Sequence, residues 1–210
     1  MKRLSPEKLL ENLNVFYEYI KKYIPGNRGD MLLDFYKQIE LTLSTAPAST
    51  RLDHHNCFIG GYVDHVNRVV EVALVLDRVW DKFKQQKNYT LEELVFSAIN
   101  HDLGKVGTDK APVYIQNDSQ WHIEKLGIHF KYNPNITHLR IADRSLYCLQ
   151  SAGIQMSETE YLAIKLHDGL YEESNKQYYM NFGKDTEIKS NLIFILHQAD
   201  FLASRVETQI

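Results

Sequence analysis

Cysteine is scarce in this chain, and its scarcity excludes two kinds of site. The 210 residues contain only Cys57 and Cys148, which are far apart and form no CxxC pair. A disulfide framework or a thiolate zinc site needs several closely spaced cysteines, so we expect neither. Free thiols are typical of a reducing compartment, and we therefore expect a cytoplasmic protein.

Long apolar runs and flexible linkers are also missing. No run approaches the ~18 apolar residues that a membrane helix needs, and residues 1–7 lack the apolar segment of a secretory signal. The 5 prolines and 10 glycines are scattered rather than gathered into a linker. We therefore expect one soluble domain over residues 1–210, with no membrane partner.

A large positive charge is the third absence. The formal net charge is -3 at pH 7, whereas proteins that hold duplex nucleic acid usually carry an extended basic face. A duplex partner is therefore disfavoured. A compact phosphorylated ligand fits this charge better.

Apolar residues recur at helical spacing along most of the chain, between recognisable helix starts and stops. Ser5-Pro6 is typical of a helix start. Thr90 with Glu93, and Ser157 with Glu160, are capping-box patterns that start two more helices. The expected helices cover about 6–24, 31–45, 61–76, 91–101, 136–152, 158 onward and 192–206, and 44–60 is expected to be a loop.

A short stretch between the helices alternates apolar and polar residues. Residues 113–116 and 120–123 are interpreted as two strands, joined by the polar turn 117–119. Together with the helices, this pattern predicts an all-α domain with a small β-hairpin insertion.

His101 and Asp102 are adjacent at the end of a predicted helix, and such a pair can bind one divalent metal ion. His65 lies on an earlier predicted helix and Asp200 on the last one. Two imidazoles and two carboxylates suit a first-row divalent ion with open coordination positions. These donors do not choose among Mn, Fe, Co, Ni, Zn and Mg.

Four segments, in chain order, resemble motifs of the HD-domain metal-dependent phosphohydrolase superfamily. The segments are 54–65, 101–105, 162–169 and 196–200. They are similar, in that order, to the H-x-x-x-x-G-G-x-x-x-H opening, the His-Asp motif that names the superfamily, the A-I-x-x-H-x-G segment and the final metal-binding aspartate. The likeness covers about His54 to Glu207. It implies an HD-type helical bundle over 54–207, with 1–45 as an N-terminal helical extension.

The resemblance also implies a ligand set for one metal ion. These ligands are His65, His101, Asp102 and Asp200. One departure concerns the H-G-E-K-S segment of related proteins, because Ile141 replaces its histidine here. His138 stands three residues earlier, close to one helical turn. A second metal held by His138 and His167 therefore stays open.

The chemistry of phosphoester hydrolysis suggests catalytic roles for three residues. Asp102 holds the metal, and Lys105 is the nearest cation for the charge that builds on the phosphoryl oxygens. His167 offers an imidazole that can hold or deliver a proton near neutral pH.

Further residues are candidates for substrate binding. Arg51 and Lys110 are alternatives to Lys105, and His129 is an alternative to His167. His54 and His55 are interpreted as a polar loop as much as a site. Four aromatic residues, Trp121, Phe130, Tyr178 and Tyr179, are candidates to stack on a base, although aromatic side chains more often fill a core.

The favoured function is hydrolysis of a phosphoester or phosphoanhydride in a nucleotide, by a deoxynucleotide phosphohydrolase, a nucleotidase or a cyclic-nucleotide phosphodiesterase. Alternatives are a 3'-5' exonuclease on single-stranded nucleic acid and a catalytically inactive domain that binds a nucleotide and signals. A di-iron oxygenase is disfavoured because Ile141 replaces a histidine ligand. A homo-oligomer built through the N-terminal helices stays open.

Overall fold

The computed structural model describes residues 4–83, 87–108, 110–181 and 183–208. Within these ranges it contains ten α-helices and one two-stranded antiparallel sheet. The helices are α1 (Pro6–Tyr23), α2 (Asn27–Gln38), α3 (Glu40–Thr45), α4 (Gly61–Lys82), α5 (Leu91–Asn100), α6 (Gln120–Leu126), α7 (Ile141–Ser151), α8 (Glu158–Leu166), α9 (Lys176–Tyr179) and α10 (Asn191–Glu207). The strands are β1 (Tyr114–Gln116) and β2 (Phe130–Tyr132). This composition confirms a mostly helical fold with a small β element.

Local hydrogen bonds fix the helix starts that the sequence predicts. The Thr90 hydroxyl accepts from the backbone N–H of Glu93, and the Glu93 carboxylate accepts from the N–H of Thr90. Ser157 and Glu160 repeat this capping box at the start of α8. Both boxes satisfy N–H groups that have no partner inside the helix, and both predictions are confirmed.

The expected β-hairpin is partly wrong. Strand β1 forms as predicted, but 120–123 lies in helix α6, and the partner of β1 is β2, with Tyr114 opposite Tyr132. Ser119 caps α6 by accepting from the N–H of His122. Gly127 ends the helix at a φ of 64°. Four alternating residues are too few to outweigh a serine cap and a terminal glycine.

Two other helices differ from expectation. The apolar pattern over 31–45 is divided, because α2 ends at Gln38 and α3 begins at Glu40. The helix expected from 136 begins only at Ile141. Before it, the Asn133 side chain accepts from the N–H of Asn135 and holds the chain in a turn.

The core lies where α4, α5, α8 and α10 pack together, with α1 against α4 and α5. The N-terminal helices share this core, because the rings of Phe16 and Tyr36 are buried and meet edge to face at 4.8 Å. The Tyr36 hydroxyl also donates to the side chain of Asn100 at 2.8 Å. Asn100 precedes His101, so the N-terminal helices brace the segment that carries the His-Asp pair.

Among the described residues, no helix is both long and apolar enough to cross a membrane.

Candidate metal centre

Four separate elements bring imidazoles and carboxylates to one buried point. His65 comes from α4, His101 and Asp102 follow α5, His167 follows α8, and Asp200 comes from α10. The three histidines and Asp102 are at most 3% exposed. We call these five residues the metal cluster. The structure thus gathers the four predicted ligands and adds His167 to them.

His101 and His167 occupy equivalent positions at the C-terminal ends of their helices. Each Nδ1 donates to the backbone carbonyl three residues earlier, at 2.8 Å, to Ala98 and Ile164 respectively. Because a carbonyl oxygen can only accept, both Nδ1 atoms carry the proton. The Nε2 atoms are therefore left to face the carboxylates. Such a backbone bond is typical of metal-binding histidines.

The ligand atoms lie at separations that a single ion can bridge. Nε2 of His65 is 3.2 Å from Asp200 Oδ1 and 3.6 Å from Asp102 Oδ2. Nε2 of His101 is 3.5 Å from Asp102 Oδ2. Two ligand atoms that each lie ~2.1 Å from one ion are themselves about 3.0–3.4 Å apart. Small side-chain movements would therefore suffice to coordinate a metal.

Two nitrogen atoms of the cluster lack an ordinary partner. Within the described residues, Nε2 of His65 and Nε2 of His101 are buried and make no hydrogen bond of ordinary geometry, although carboxylate oxygens of Asp200 and Asp102 lie 3.2 Å and 3.5 Å from them, respectively. A buried polar atom without a partner costs free energy unless something else binds it. A cation beside two carboxylates would satisfy both nitrogens, so these residues fit a divalent metal ion. The donor set does not identify the metal.

Burial and neighbouring charges shift the pKa values of the histidines in the metal cluster. Burial lowers the pKa of His65, but Glu207 and Asp200 outweigh burial and raise this pKa to about 9. Burial likewise opposes charge on His167, but Asp168 and Asp102 raise its pKa to about 10. Burial lowers the pKa of His101 to about 4. Without a metal, His65 and His167 thus hold the protons that balance the carboxylates.

Lys105 lies at the wall of the site. It ends the 3-10 turn Leu103–Lys105 and places its Nζ 2.5 Å from Oδ2 of Asp102. Burial opposes its charge, but the carboxylate of Asp102 raises the pKa of Lys105. The ammonium group is therefore held charged beside the predicted ligands.

A cavity of about 510 Å³ opens onto the cluster. Its lining includes Asp102, Lys105, His167 and Asp200 on one side, and Tyr171 and Phe201 on another. A cavity of this size accommodates a small molecule.

Two residues that the sequence did not single out as ligands contact His65. Glu207 is buried, accepts from Nδ1 of His65 at 2.9 Å and pairs with Arg68 at 2.7 Å. Its signal was available, because Glu207 lies seven residues after Asp200 and so shares its helix face. His55 packs its ring 4.6 Å from that of His65, with a buried Nε2 that has no partner among the described residues.

Ser145 supports the turn that carries the His-Asp pair. Its hydroxyl accepts from the N–H of Gly104 at 2.8 Å and donates to the carbonyl of His101 at 3.0 Å. A Cβ on Gly104 would lie 2.0 Å from the carbonyl oxygen of Ile141. This close approach requires glycine, and it seats α7 against the turn.

Comparison of the chain with family models, with curated proteins and with solved structures finds no match. Membership of the HD superfamily stays a hypothesis based on the motifs and on the geometry of the cluster.

Four predicted residues lie away from the cluster. Arg51 is exposed and forms a two-pronged ion pair with Asp53. Lys110 is exposed, and His129 is part-buried with its N–H bonded to the carbonyl of Thr50. Among the described residues that line the cavity, none is Arg51, Lys110, His129 or His138.

His138 is not brought to the metal cluster. It is exposed, its ring lies 5.2 Å from that of Tyr132, and it lines a neighbouring cavity of about 270 Å³. The expectation needed a helix that already included residue 138. Since α7 begins at Ile141, the one-turn relationship does not exist.

Proposed function

We propose that this protein is a metal-dependent phosphohydrolase of the HD type, which cleaves a phosphoester or phosphoanhydride bond of a nucleotide. The observation that carries the proposal is that the buried Nε2 atoms of His65 and His101 converge on carboxylate oxygens without forming hydrogen bonds of ordinary geometry. They face two carboxylates beside a cavity that is also lined by the part-buried Lys105. This combination supports metal binding next to a site for a small anion.

His65, His101, Asp102 and Asp200 would hold the metal. A divalent ion held by these residues would supply the two requirements of phosphoester hydrolysis, namely a lower pKa for water and polarisation of a phosphoryl oxygen. Glu207 orients His65 through its Nδ1, and the carbonyl of Ala98 orients His101 in the same way. The ligands are therefore oriented before any ion arrives.

Lys105 would bind the phosphoryl group of the substrate. Its ammonium lies at the cavity wall beside Asp102, where it can neutralise charge on phosphoryl oxygens. Such electrostatic stabilisation is the main task of a protein in phosphoryl transfer.

His167 would hold a proton at the same wall. Its Nε2 lies 3.5 Å from Asp102 Oδ1 and 3.6 Å from Asp168 Oδ1. An imidazole in this position can protonate a leaving oxygen. The same atom is also close enough to His101 and Asp200 to act as a further metal ligand.

The experiment is a turnover assay on metal-stripped protein to which Mn, Mg, Co or Zn is added. Substrates are nucleoside mono- and triphosphates, cyclic nucleotides and short single strands. We expect cleavage of one class of substrate, and we expect Asp102→Ala to abolish it. The matched change Asp30→Ala, at an exposed position of α2, should leave this cleavage intact. Cleavage of single strands alone would favour an exonuclease. No turnover with metal bound would overturn the proposal in favour of a binding domain.

A further inference from the structure

Two aromatic rings and one guanidinium group form an exposed surface at the edge of the cavity. The rings of Tyr171 and Phe201 lie nearly parallel, at 15° with centroids 6.1 Å apart. The guanidinium of Arg205 lies 5.0 Å from the centroid of Phe201. Tyr171 is 74% exposed and Phe201 40%. We call these three residues the aromatic ledge.

The ledge is joined directly to the metal cluster. Phe201 follows Asp200 in α10, and Tyr171 ends the 3-10 turn Gly169–Tyr171, which begins two residues after His167. Tyr171, Phe201 and Arg205 all line the cavity that the cluster opens into. A molecule with its phosphate at the cluster would therefore meet the ledge with its other end.

The turn that carries Tyr171 is held in place. Nδ1 of His197 donates to the carbonyl of His167 at 2.7 Å. Gly169 has a φ of 58°, and a Cβ there would lie 2.3 Å from Cε1 of His197. This backbone conformation favours glycine. The packing of glycine against imidazole fixes the position of Tyr171 relative to α10.

Single exposed aromatic side chains are common and need no explanation. This pair differs, because both rings are exposed, parallel and placed beside a polar cavity. The Arg205 guanidinium lies over the Phe201 ring and lines the same cavity. Aromatic faces with an adjacent guanidinium are suited to flat heteroaromatic rings that carry anionic groups.

We propose that the aromatic ledge binds the base of a nucleotide substrate by stacking, while the phosphate of that substrate lies at the metal cluster. This inference rests on the proposed function and names the part of the substrate that this site selects. It predicts a nucleotide rather than a sugar phosphate or an inorganic phosphate. The ledge consists of other residues than the four aromatic candidates from the sequence, of which Phe130 is buried.

The test compares ligands that differ only in the base. Calorimetric titration of Mn-loaded protein measures Kd for the four common nucleoside 5′-monophosphates and for ribose 5-phosphate. We expect at least one nucleotide to bind roughly tenfold or more tightly than ribose 5-phosphate, as base–aromatic stacking provides. In Tyr171→Leu and in Phe201→Leu this ratio should fall towards one. Affinity for ribose 5-phosphate should stay unchanged.

Matched controls are Tyr147→Leu and Phe83→Leu, which remove exposed rings far along the chain from the ledge. Metal content is measured in every variant, because Phe201 neighbours Asp200. Equal binding of nucleotides and ribose 5-phosphate, or a base preference that survives both ledge variants, would overturn the inference. Turnover without base preference would contradict base binding by the ledge and would support the proposed hydrolase function. If the protein binds bases selectively, loses this selectivity in the ledge variants and shows no turnover, base binding by the ledge is supported and the hydrolase function is contradicted.

Discussion

Glu207 accepts a hydrogen bond from Nδ1 of His65 at 2.9 Å, inside the protein and across 142 residues of sequence. The bond keeps a proton on Nδ1 of His65 and turns Nε2 towards Asp102 and Asp200. Arg68 pairs with the other oxygen of Glu207 at 2.7 Å and balances its charge. Glu207 thus acts on the metal cluster through His65.

The Glu207→Gln variant should weaken metal binding. The amide keeps the size of the side chain but removes the negative charge that makes His65 a stronger metal ligand. Loss of such an outer partner typically costs about 10- to 100-fold in metal affinity. Competitive titration against a metal buffer measures the change. Glu11→Gln, on the exposed face of α1, is the matched control, and equal affinity in both variants would contradict this role of Glu207.

The His167→Ala variant should lose less metal than Asp102→Ala. Asp102 lies beside all three histidines of the cluster, whereas His167 lies at its edge beside the cavity. We expect His167→Ala to lower kcat while it keeps much of the metal, and Asp102→Ala to abolish both. Metal analysis and steady-state kinetics on both variants are the measurements. Equal losses in the two variants would make His167 a full metal ligand.

Metal affinity should rise with pH between 6 and 9. Burial opposes charge on His65, but Glu207 and Asp200 raise its pKa to about 9, so the metal-free protein carries this proton at neutral pH. The metal must displace it, which makes binding tighter by about tenfold per pH unit for each displaced proton. His101, with a pKa of about 4, adds nothing in this range. A pH-independent affinity, after correction for the metal buffer, would contradict the prediction.

The Ser145→Ala variant should destabilise the protein. It leaves the buried N–H of Gly104 without its partner, and such a loss typically costs about 1–3 kcal/mol. Chemical denaturation measures the free energy of unfolding. Ser151→Ala, on the exposed face of the same helix, is the control and should change stability little. Equal effects of the two variants would show that the Ser145 bond contributes nothing.

Much of the secondary structure was predictable because its causes are local. The capping boxes at Thr90 and Ser157 involve residues three positions apart, so each helix start is decided within one turn. The predicted second strand over 120–123 was wrong because local signals of the same kind start and stop a helix there. Ser119 and Gly127 provide a local helix start and stop that outweigh the short alternation between them.

The sequence by itself determined the capped helix starts at Thr90 and Ser157, the scarcity of cysteine and the residue types available to a metal. Only the tertiary structure decided which of them meet. Packing of α4, α5, α8 and α10 brings His65, His101 and Asp200 together. His138 stays outside the metal cluster, because it precedes α7, which begins only at Ile141. Hydrogen bonds at helix ends depend on a few neighbouring residues, whereas the faces that helices present to each other depend on the whole core. The hydrogen bond of Glu207 to His65 and the aromatic ledge therefore become recognisable only once the helices are packed.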